Sequence, residues 1–148
     1  MHRNEHTVEI DRPPADVFPY LAASDQRLRW MEKLVSSKQL TEDAPGLGTR
    51  FHDVFEDHGQ RVELDAEIVD WQPDERLAIR LRSKVVHATS TQELEERDGG
   101  TRLTAALESE YKSFAARLAA AIVTRHAQSQ LEKDLETLKR LVEAERSA

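Results

Sequence analysis

The sequence has no cysteine among its 148 residues, and aromatic residues make up only 5% of it. A chain without cysteine has no disulfide, no thiol nucleophile and no thiolate ligand for a metal ion. No apolar run approaches the length that spans a bilayer, and internal repeats and low-complexity segments are absent. These absences exclude a disulfide scaffold, a thiol enzyme and a protein that crosses a membrane with helices.

The charge balance is acidic, with 28 Asp and Glu against 21 Lys and Arg, which gives a net charge of −7. Nucleic acids and anionic membrane surfaces select for a basic face, so neither is expected as a partner. The first ten residues, MHRNEHTVEI, are polar and then alternating, which is not typical of a signal peptide. The length fits one domain, so we expect a single soluble, cytoplasmic domain over residues 1–148.

Most of the chain alternates apolar and polar residues with the period of two that is typical of β-strands with one wet face. Turn signals separate these stretches, such as Asp57-His58-Gly59, Gln72-Pro73-Asp74-Glu75 and Asp98-Gly99-Gly100. The last of these predicts a tight hairpin. The predicted strands cover residues 6–11, 35–42, 48–56, 62–68, 77–84, 86–96 and 103–111.

Helices are predicted at two places. After the first strand, Arg12-Pro13-Pro14 leads into a short amphipathic helix that Pro19 should bend, and Ser24-Asp25 offers an N-cap for a second short helix. Residues 113–145 contain no Gly or Pro and read as one helix of roughly 50 Å at about 1.5 Å per residue. An antiparallel sheet with one wet face needs a partner on the other face, and this helix is the only sizeable apolar element left.

The predicted fold class is therefore α+β: a curved antiparallel sheet of about seven strands, two short helices after the first strand, and a long C-terminal helix across the concave face. The helix carries a stripe that is small at its N-terminal end and large at its C-terminal end. Small residues facing a sheet indicate either a close approach of the backbone or a cavity for a ligand. The stripe comprises Ala116, Ala119, Ala120, Val123, Ala127, Leu131, Leu135, Leu138, Leu141 and Val142.

Several short motifs resemble, in the right order, those of START-like (SRPBCC) helix-grip proteins of the polyketide cyclase/dehydrase type. They are Arg12-Pro13-Pro14-Ala15-Asp16-Val17-Phe18, Asp25 to Met31 with Trp30, Pro45-Gly46-Leu47-Gly48-Thr49-Arg50-Phe51, Gly99-Gly100-Thr101-Arg102-Leu103-Thr104 and the closing helix from Leu131 to Lys139. The resemblance covers nearly the whole chain. It implies a pocket between helix and sheet that holds a hydrophobic or amphipathic small molecule, while the family's activities range from cyclases to carriers.

Candidate ligand-binding residues follow from the inward faces of the strands and the helix stripe. Polar residues on a core face suggest a wet or ligand-filled space, because buried polar groups without partners are costly. By the resemblance Trp30 lies near the pocket mouth, whereas as a core residue it would pin its helix to the sheet. The candidates are Trp30, Phe51, Asp53, Phe55, Leu64, Ala66, Ile79, Leu81, Ser90, Gln92, Ala105, Ser109, Tyr111, Ala116, Ala120 and Val123.

Acid–base chemistry has few candidates. Asp53 and Tyr111 share the inward face, whereas His52 and His87 are predicted to point outward into solvent. His and carboxylate residues do not occur at metal-ligand spacing on a common face, so neither a metal nor another cofactor is expected.

Three functions remain open at this point. The leading hypothesis is a non-catalytic or weakly catalytic carrier of a lipid, polyketide or aromatic molecule; the second is a cyclase, aromatase or dehydratase using Asp53 or Tyr111. The third is a regulatory interaction module, with Phe114, Leu118 and Ile122 forming an apolar ridge that supports a homodimer. A rotated helix would instead place these three, followed by Arg125, in the pocket.

Overall fold

The computed structural model of the chain describes residues 2–57, 59–84, 86–112 and 114–145, and within the last range it describes side chains from residue 126 onward. The strands are β1 (His2–Ile10), β2 (Leu34–Gln39), β3 (Arg50–Asp57), β4 (Gln60–Gln72), β5 (Arg76–Arg82), β6 (Val86–Arg97) and β7 (Gly100–Tyr111). The helices are α1 (Pro14–Val17), α2 (Pro19–Ala22), α3 (Ser24–Trp30) and α4 (Phe114–Ala144). No helix in this described part of the chain is both long enough and apolar enough to cross a membrane.

The strands form one antiparallel sheet in the order β1-β7-β6-β5-β4-β3-β2. Strands β2 to β7 follow one another as neighbours, and β1 closes the order beside β7. The register shifts between Leu34 and Ser36 in β2, and again between Ile68 and Asp70 in β4. Such bulges bend a strand and increase its twist, which fits a curved sheet.

The predicted α+β helix-grip architecture is confirmed, and so is the hairpin between β6 and β7. Asp98 and Gly99 both have positive φ, 52° and 83°, as a two-residue type I′ turn requires. The first short helix is bent as expected, because α1 and α2 meet at Phe18, directly before Pro19.

Several strand ends differ from the prediction. Strand β1 begins at His2 rather than residue 6, and β7 begins at Gly100 rather than residue 103, because the two strands pair from His2↔Ser109 to Ile10↔Thr101. The predicted end of β7 at Tyr111 is confirmed. Strand β2 ends at Gln39 rather than at residue 42. Charged residues such as Arg3 and Glu5 obscure the apolar alternation at the start of β1, which explains the missed residues.

Helix α4 lies along the free edge of β1 and hydrogen-bonds to its backbone. The Gln128 amide donates to the carbonyl of Glu5 at 3.0 Å and accepts from its N–H at 3.3 Å. Lys139 Nζ donates to the Glu9 carbonyl at 2.6 Å, and Glu143 accepts from the Asp11 N–H at 2.7 Å. The six residue steps from Glu5 to Asp11 and the fifteen from Gln128 to Glu143 each span about 20 Å, so the helix and the strand can bond at both ends.

The C-terminal half of α4 is anchored in the core. Leu135, Leu138 and Val142 are buried and pack with inward-facing residues of the sheet such as Ile10 and Leu103. Three such side chains, each contributing about 1.5–3 kcal/mol on burial, hold this half of the helix against the strands. The sequence stripe therefore predicts the anchored half correctly, whereas the side chains of Ala116, Ala120 and Val123 lie outside the described residues.

Gly100 lies at a point where β7 closely approaches the backbone of β1. A Cβ added at Gly100 would lie 2.7 Å from the backbone carbonyl oxygen of Ile10, which cannot move without disturbing β1. We expect Gly100→Ala to lower the free energy of unfolding by about 1–3 kcal/mol, measured by urea denaturation with an unchanged m-value. At Gly46 an added Cβ meets nothing within 4 Å. Gly46→Ala should leave the free energy unchanged or raise it by up to about 1 kcal/mol, and equal losses in the two variants would contradict the prediction.

Candidate functional site

A cavity of about 190 Å³ lies between α4, the sheet and the α3–β2 segment. Its wall is mostly apolar, with a few polar side chains placed at separate points. The apolar residues are Leu21, Trp30, Met31, Leu34, Phe55, Ile79, Leu81, Ala106, Leu107, Ala127, Leu131 and Leu135. The polar residues are Arg27, Lys33, Ser90, Gln92, Gln130 and Asp134.

Strand pairing explains which sheet residues meet at this cavity. Ser90 pairs with Ile79 on one side and with Leu107 on the other, and Gln92 is the next inward residue of β6. Because side chains alternate across a sheet, these positions share the concave face. The cavity wall contains the predicted candidates Trp30, Phe55, Ile79, Leu81, Ser90 and Gln92.

The other predicted candidates lie elsewhere in the described part of the chain. Phe51, Asp53, Leu64, Ala66 and Ala105 are buried in the core but are not in the cavity wall, and Ser109 and Tyr111 lie further along β7. Ala116, Ala120 and Val123, like the ridge of Phe114, Leu118 and Ile122 and the rotated-helix residue Arg125, fall where side chains are not described.

Sequence reasoning did not name several wall residues as binding candidates, among them Arg27 of α3, Leu34 of β2 and four residues of α4. Ala127, Leu131, Asp134 and Leu135 follow one another at the i, i+4, i+7, i+8 spacing of a helix face. That spacing is a signal that could have found them, since the predicted stripe already contained the three apolar ones. Arg27 carried no comparable signal, because its position depends on a contact with a distant strand.

Asp53 forms a buried ion pair with Arg27. The side chains are 0% and 3% exposed, and Arg27 Nη2 lies 2.7 Å from Asp53 Oδ2. Arg27 Nη1 also donates to Asp53 Oδ1 at 3.3 Å, and the Ser37 hydroxyl donates to the same oxygen at 2.7 Å. The guanidinium lies 5.4 Å from the centre of the Phe51 ring. Both oxygens of Asp53 are thus occupied, which makes this carboxylate a structural partner of Arg27.

Tyr111 and the two histidines are placed away from the cavity wall. The Tyr111 ring lies edge-on to His2 at 5.8 Å between centroids, and burial raises the pKa of Tyr111. His52 faces outward and its Nε2 lies 2.9 Å from Glu63 Oε1, a hydrogen bond that raises the pKa of His52. His87 pairs with Arg82 and Glu110 in the sheet, on the same alternation as the outward residues.

Asp134 is a carboxylate buried in the helical wall of the cavity. Its Oδ1 accepts hydrogen bonds from the Glu32 backbone N–H at 3.1 Å and from Gln130 Nε2 at 2.8 Å. Burial raises the pKa of Asp134, and the hydrogen bonds from Glu32 and Gln130 only partly oppose this effect. Asp134 therefore ties α4 to the α3–β2 segment and places a titratable group beside the cavity.

Gln92 supplies the polar group on the sheet side of the cavity. Its Nε2 donates to the Ser90 hydroxyl at 3.2 Å, while its Oε1 is buried and has no hydrogen-bond partner among the described residues. Among the same residues, no group of three His, Asp or Glu side chains is arranged to hold a metal ion. The wall is thus mainly apolar, and the amide of Gln92 is its polar group on the sheet side.

Comparison with known proteins agrees with this geometry. The model of the family "Polyketide cyclase / dehydrase and lipid transport" matches residues 1–143. The chain therefore belongs to this family of SRPBCC-type proteins, as the sequence motifs predicted. No curated protein matches the chain.

Solved structures with the same fold come from several bacteria. TTHA0849 of Thermus thermophilus is 19% identical with a TM-score of 0.83, and the match covers 99% of this chain and 100% of that one. DR_A0006 of Deinococcus radiodurans is 18% identical with a TM-score of 0.72, covering 97% and 98%. CV1439 of Chromobacterium violaceum is 19% identical with a TM-score of 0.72, covering 95% and 96%. At these identities the likeness establishes the fold alone.

Breaking the buried ion pair should lower the free energy of unfolding much more than breaking an exposed ion pair does. Asp53→Asn removes the charge that compensates Arg27 in the core, and we expect the free energy of unfolding to fall by about 3–5 kcal/mol in urea denaturation. Glu9→Gln breaks the exposed pair with Arg102 (2.6 Å) and should lower the free energy of unfolding far less, because solvent screens this pair. The double variant Arg27→Met/Asp53→Leu should recover much of the loss, whereas a double variant no more stable than Asp53→Asn would contradict this account.

The buried carboxylate of Asp134 should make the stability of the protein depend on pH. Because its folded-state pKa is raised above the usual 3.8, the ionised carboxylate destabilises the fold at neutral pH. This cost diminishes as the pH falls through the folded-state pKa and vanishes below the unfolded value. We therefore expect Asp134→Asn to raise the urea midpoint at pH 7 and to lose that advantage near pH 4. Glu136→Gln, an exposed change on the same helix, controls for net charge; an advantage that grows toward low pH would refute the assignment.

Proposed function

We propose that this protein binds a small, largely apolar molecule in the cavity between α4 and the sheet. The observation that carries the proposal is the cavity itself, about 190 Å³ with a mainly apolar wall. Protein interiors are normally packed with few voids larger than a water molecule. A space of this size with a mainly apolar wall is therefore unusual unless it is maintained for a ligand.

The size of the cavity limits the ligand. Pockets for drug-sized ligands usually measure about 300–1,000 Å³, whereas an engineered apolar cavity of about 150 Å³ binds benzene. A space of about 190 Å³ suits a molecule of one or two rings or a short branched chain. Of the lipid, polyketide and aromatic ligands expected from the sequence, this supports a small aromatic or alicyclic compound.

Binding accounts for the site better than catalysis does. The two residues predicted for acid–base work do not support it, since Asp53 is fully engaged by Arg27 and Ser37, and Tyr111 lies outside the cavity wall. A cytoplasmic location, the lack of a nucleic-acid partner and a homodimer through Phe114, Leu118 and Ile122 stay predictions from the sequence.

A cavity-filling substitution tests the proposal. Ala127 lines the cavity from α4, and the phenyl ring of Ala127→Phe would occupy space close to that of a benzene molecule. We expect the wild-type protein to bind naphthalene saturably at one molecule per chain, measured by fluorescence titration, and Ala127→Phe to lose at least tenfold in affinity. Its melting temperature should be kept or raised, because the new ring fills a void.

The control is Ala144→Phe, the same change at an exposed position of the same helix. This variant should bind naphthalene as the wild type does. The proposal that this cavity binds the ligand would be contradicted if the wild-type protein did not bind naphthalene, or if the Ala127→Phe variant bound it equally well.

A further inference from the structure

Gln92 presents an unsatisfied hydrogen-bond acceptor in the binding region. The residue is 7% exposed and lines the cavity, and its Oε1 has no partner among the described residues. A buried acceptor without a partner destabilises a fold, and most such atoms in native proteins have one. The exception in the wall of a candidate binding site indicates that the missing partner belongs to the ligand.

The remaining polar groups of the wall already have protein partners. Arg27 is bound by Asp53 at 2.7 Å, and Asp134 accepts hydrogen bonds from the Glu32 N–H and from Gln130. At the rim, Lys33 Nζ lies 3.3 Å from Asp57 Oδ1. Among the described residues, Gln92 Oε1 is the one buried side-chain nitrogen or oxygen without a hydrogen-bond partner, so Gln92 is the group expected to select the ligand's polar end.

The charges around the cavity disfavour an anionic ligand. The guanidinium of Arg27 is neutralised by the carboxylate of Asp53, so it offers no net positive charge to the cavity. Asp134 adds a carboxylate to the part of the wall formed by α4, and this carboxylate would repel a bound acid when ionised. A carboxylic acid would also lose its hydration inside a mainly apolar wall. A neutral molecule avoids both costs.

We propose that the ligand is a neutral one- or two-ring compound with a hydroxyl group, a phenol or an alcohol, and that this hydroxyl donates a hydrogen bond to Gln92 Oε1. This inference rests on the proposed function. Gln92 Nε2 donates to the Ser90 hydroxyl at 3.2 Å, so the buried amide oxygen is the atom left without a partner among the described residues. The terminal torsion of glutamine is broad, so a small rotation of the amide brings the oxygen to a hydroxyl in the cavity.

Naphthalene and three compounds of similar size, 2-naphthol, 2-naphthoate and 1-tetralone, test the proposal at pH 7. Wild-type protein should bind 2-naphthol about tenfold more tightly than naphthalene, the value of roughly one hydrogen bond to a buried acceptor. It should bind 2-naphthoate, which is anionic, at least tenfold more weakly than 2-naphthol. Gln92→Leu should bind 2-naphthol and naphthalene with about equal affinity, because the leucine side chain offers no acceptor to the hydroxyl. Gln72→Leu, the same change at an exposed residue outside the cavity, should keep that preference.

The outcomes separate this inference from the proposed function. No binding of any of the four compounds would defeat both. Saturable naphthalene binding without a preference for 2-naphthol, or a preference that survives in Gln92→Leu, would overturn the hydroxyl assignment alone. The hydroxyl assignment would also be overturned if 2-naphthoate bound more tightly than 2-naphthol, or if 1-tetralone did, because the ketone of 1-tetralone can only accept a hydrogen bond. If Gln92→Leu does not fold, the ranking of the four compounds on the wild-type protein still decides the question.

Discussion

The attachment of helix α4 to strand β1 is the constraint on which the site depends. Side chains of Gln128, Lys139 and Glu143 bond to the backbone of β1 and the residue after it, and the leucine half of the helix is buried against the sheet. These contacts hold the helix beside β1 from Gln128 to Glu143. Because the helix cannot sink further toward the sheet, the space beside Ala127 and Leu131 stays open.

The opposite wall is held by a second interaction of a different kind. The ion pair between Arg27 and Asp53 joins helix α3 to strand β3, and Ser37 of β2 adds a hydrogen bond to it. Asp134 then connects α4 to the segment after α3 through the Glu32 N–H. The polar residues near the cavity thus mainly position its walls, while apolar side chains and the Gln92–Ser90 pair form the surface that a ligand would meet.

The sequence predicts the fold well because alternation and helix periodicity are local signals. Period two correctly placed Ile79, Leu81, Ser90 and Gln92 on the inward face, and the change from alanine to leucine along the last helix identified its anchored half. The pairing of Arg27 with Asp53 could not be predicted in this way, since 26 residues separate them and nothing in their spacing indicates contact. For the same reason Asp53 looked like a candidate acid, when its environment is that of a structural ion pair.

The two edges of the sheet are protected by different means. On one side α4 occupies hydrogen-bonding groups of β1, and on the other β2 is short, interrupted by a register shift between Leu34 and Ser36, and carries the exposed Lys38. A strand from a neighbouring molecule could not pair freely with β1, because α4 occupies hydrogen-bonding groups of its backbone. Pairing with β2 is disfavoured by its irregular register and its charged side chain. Concentrated solutions of this protein should consequently resist fibril growth, even though its sheet is built from seven pairable segments.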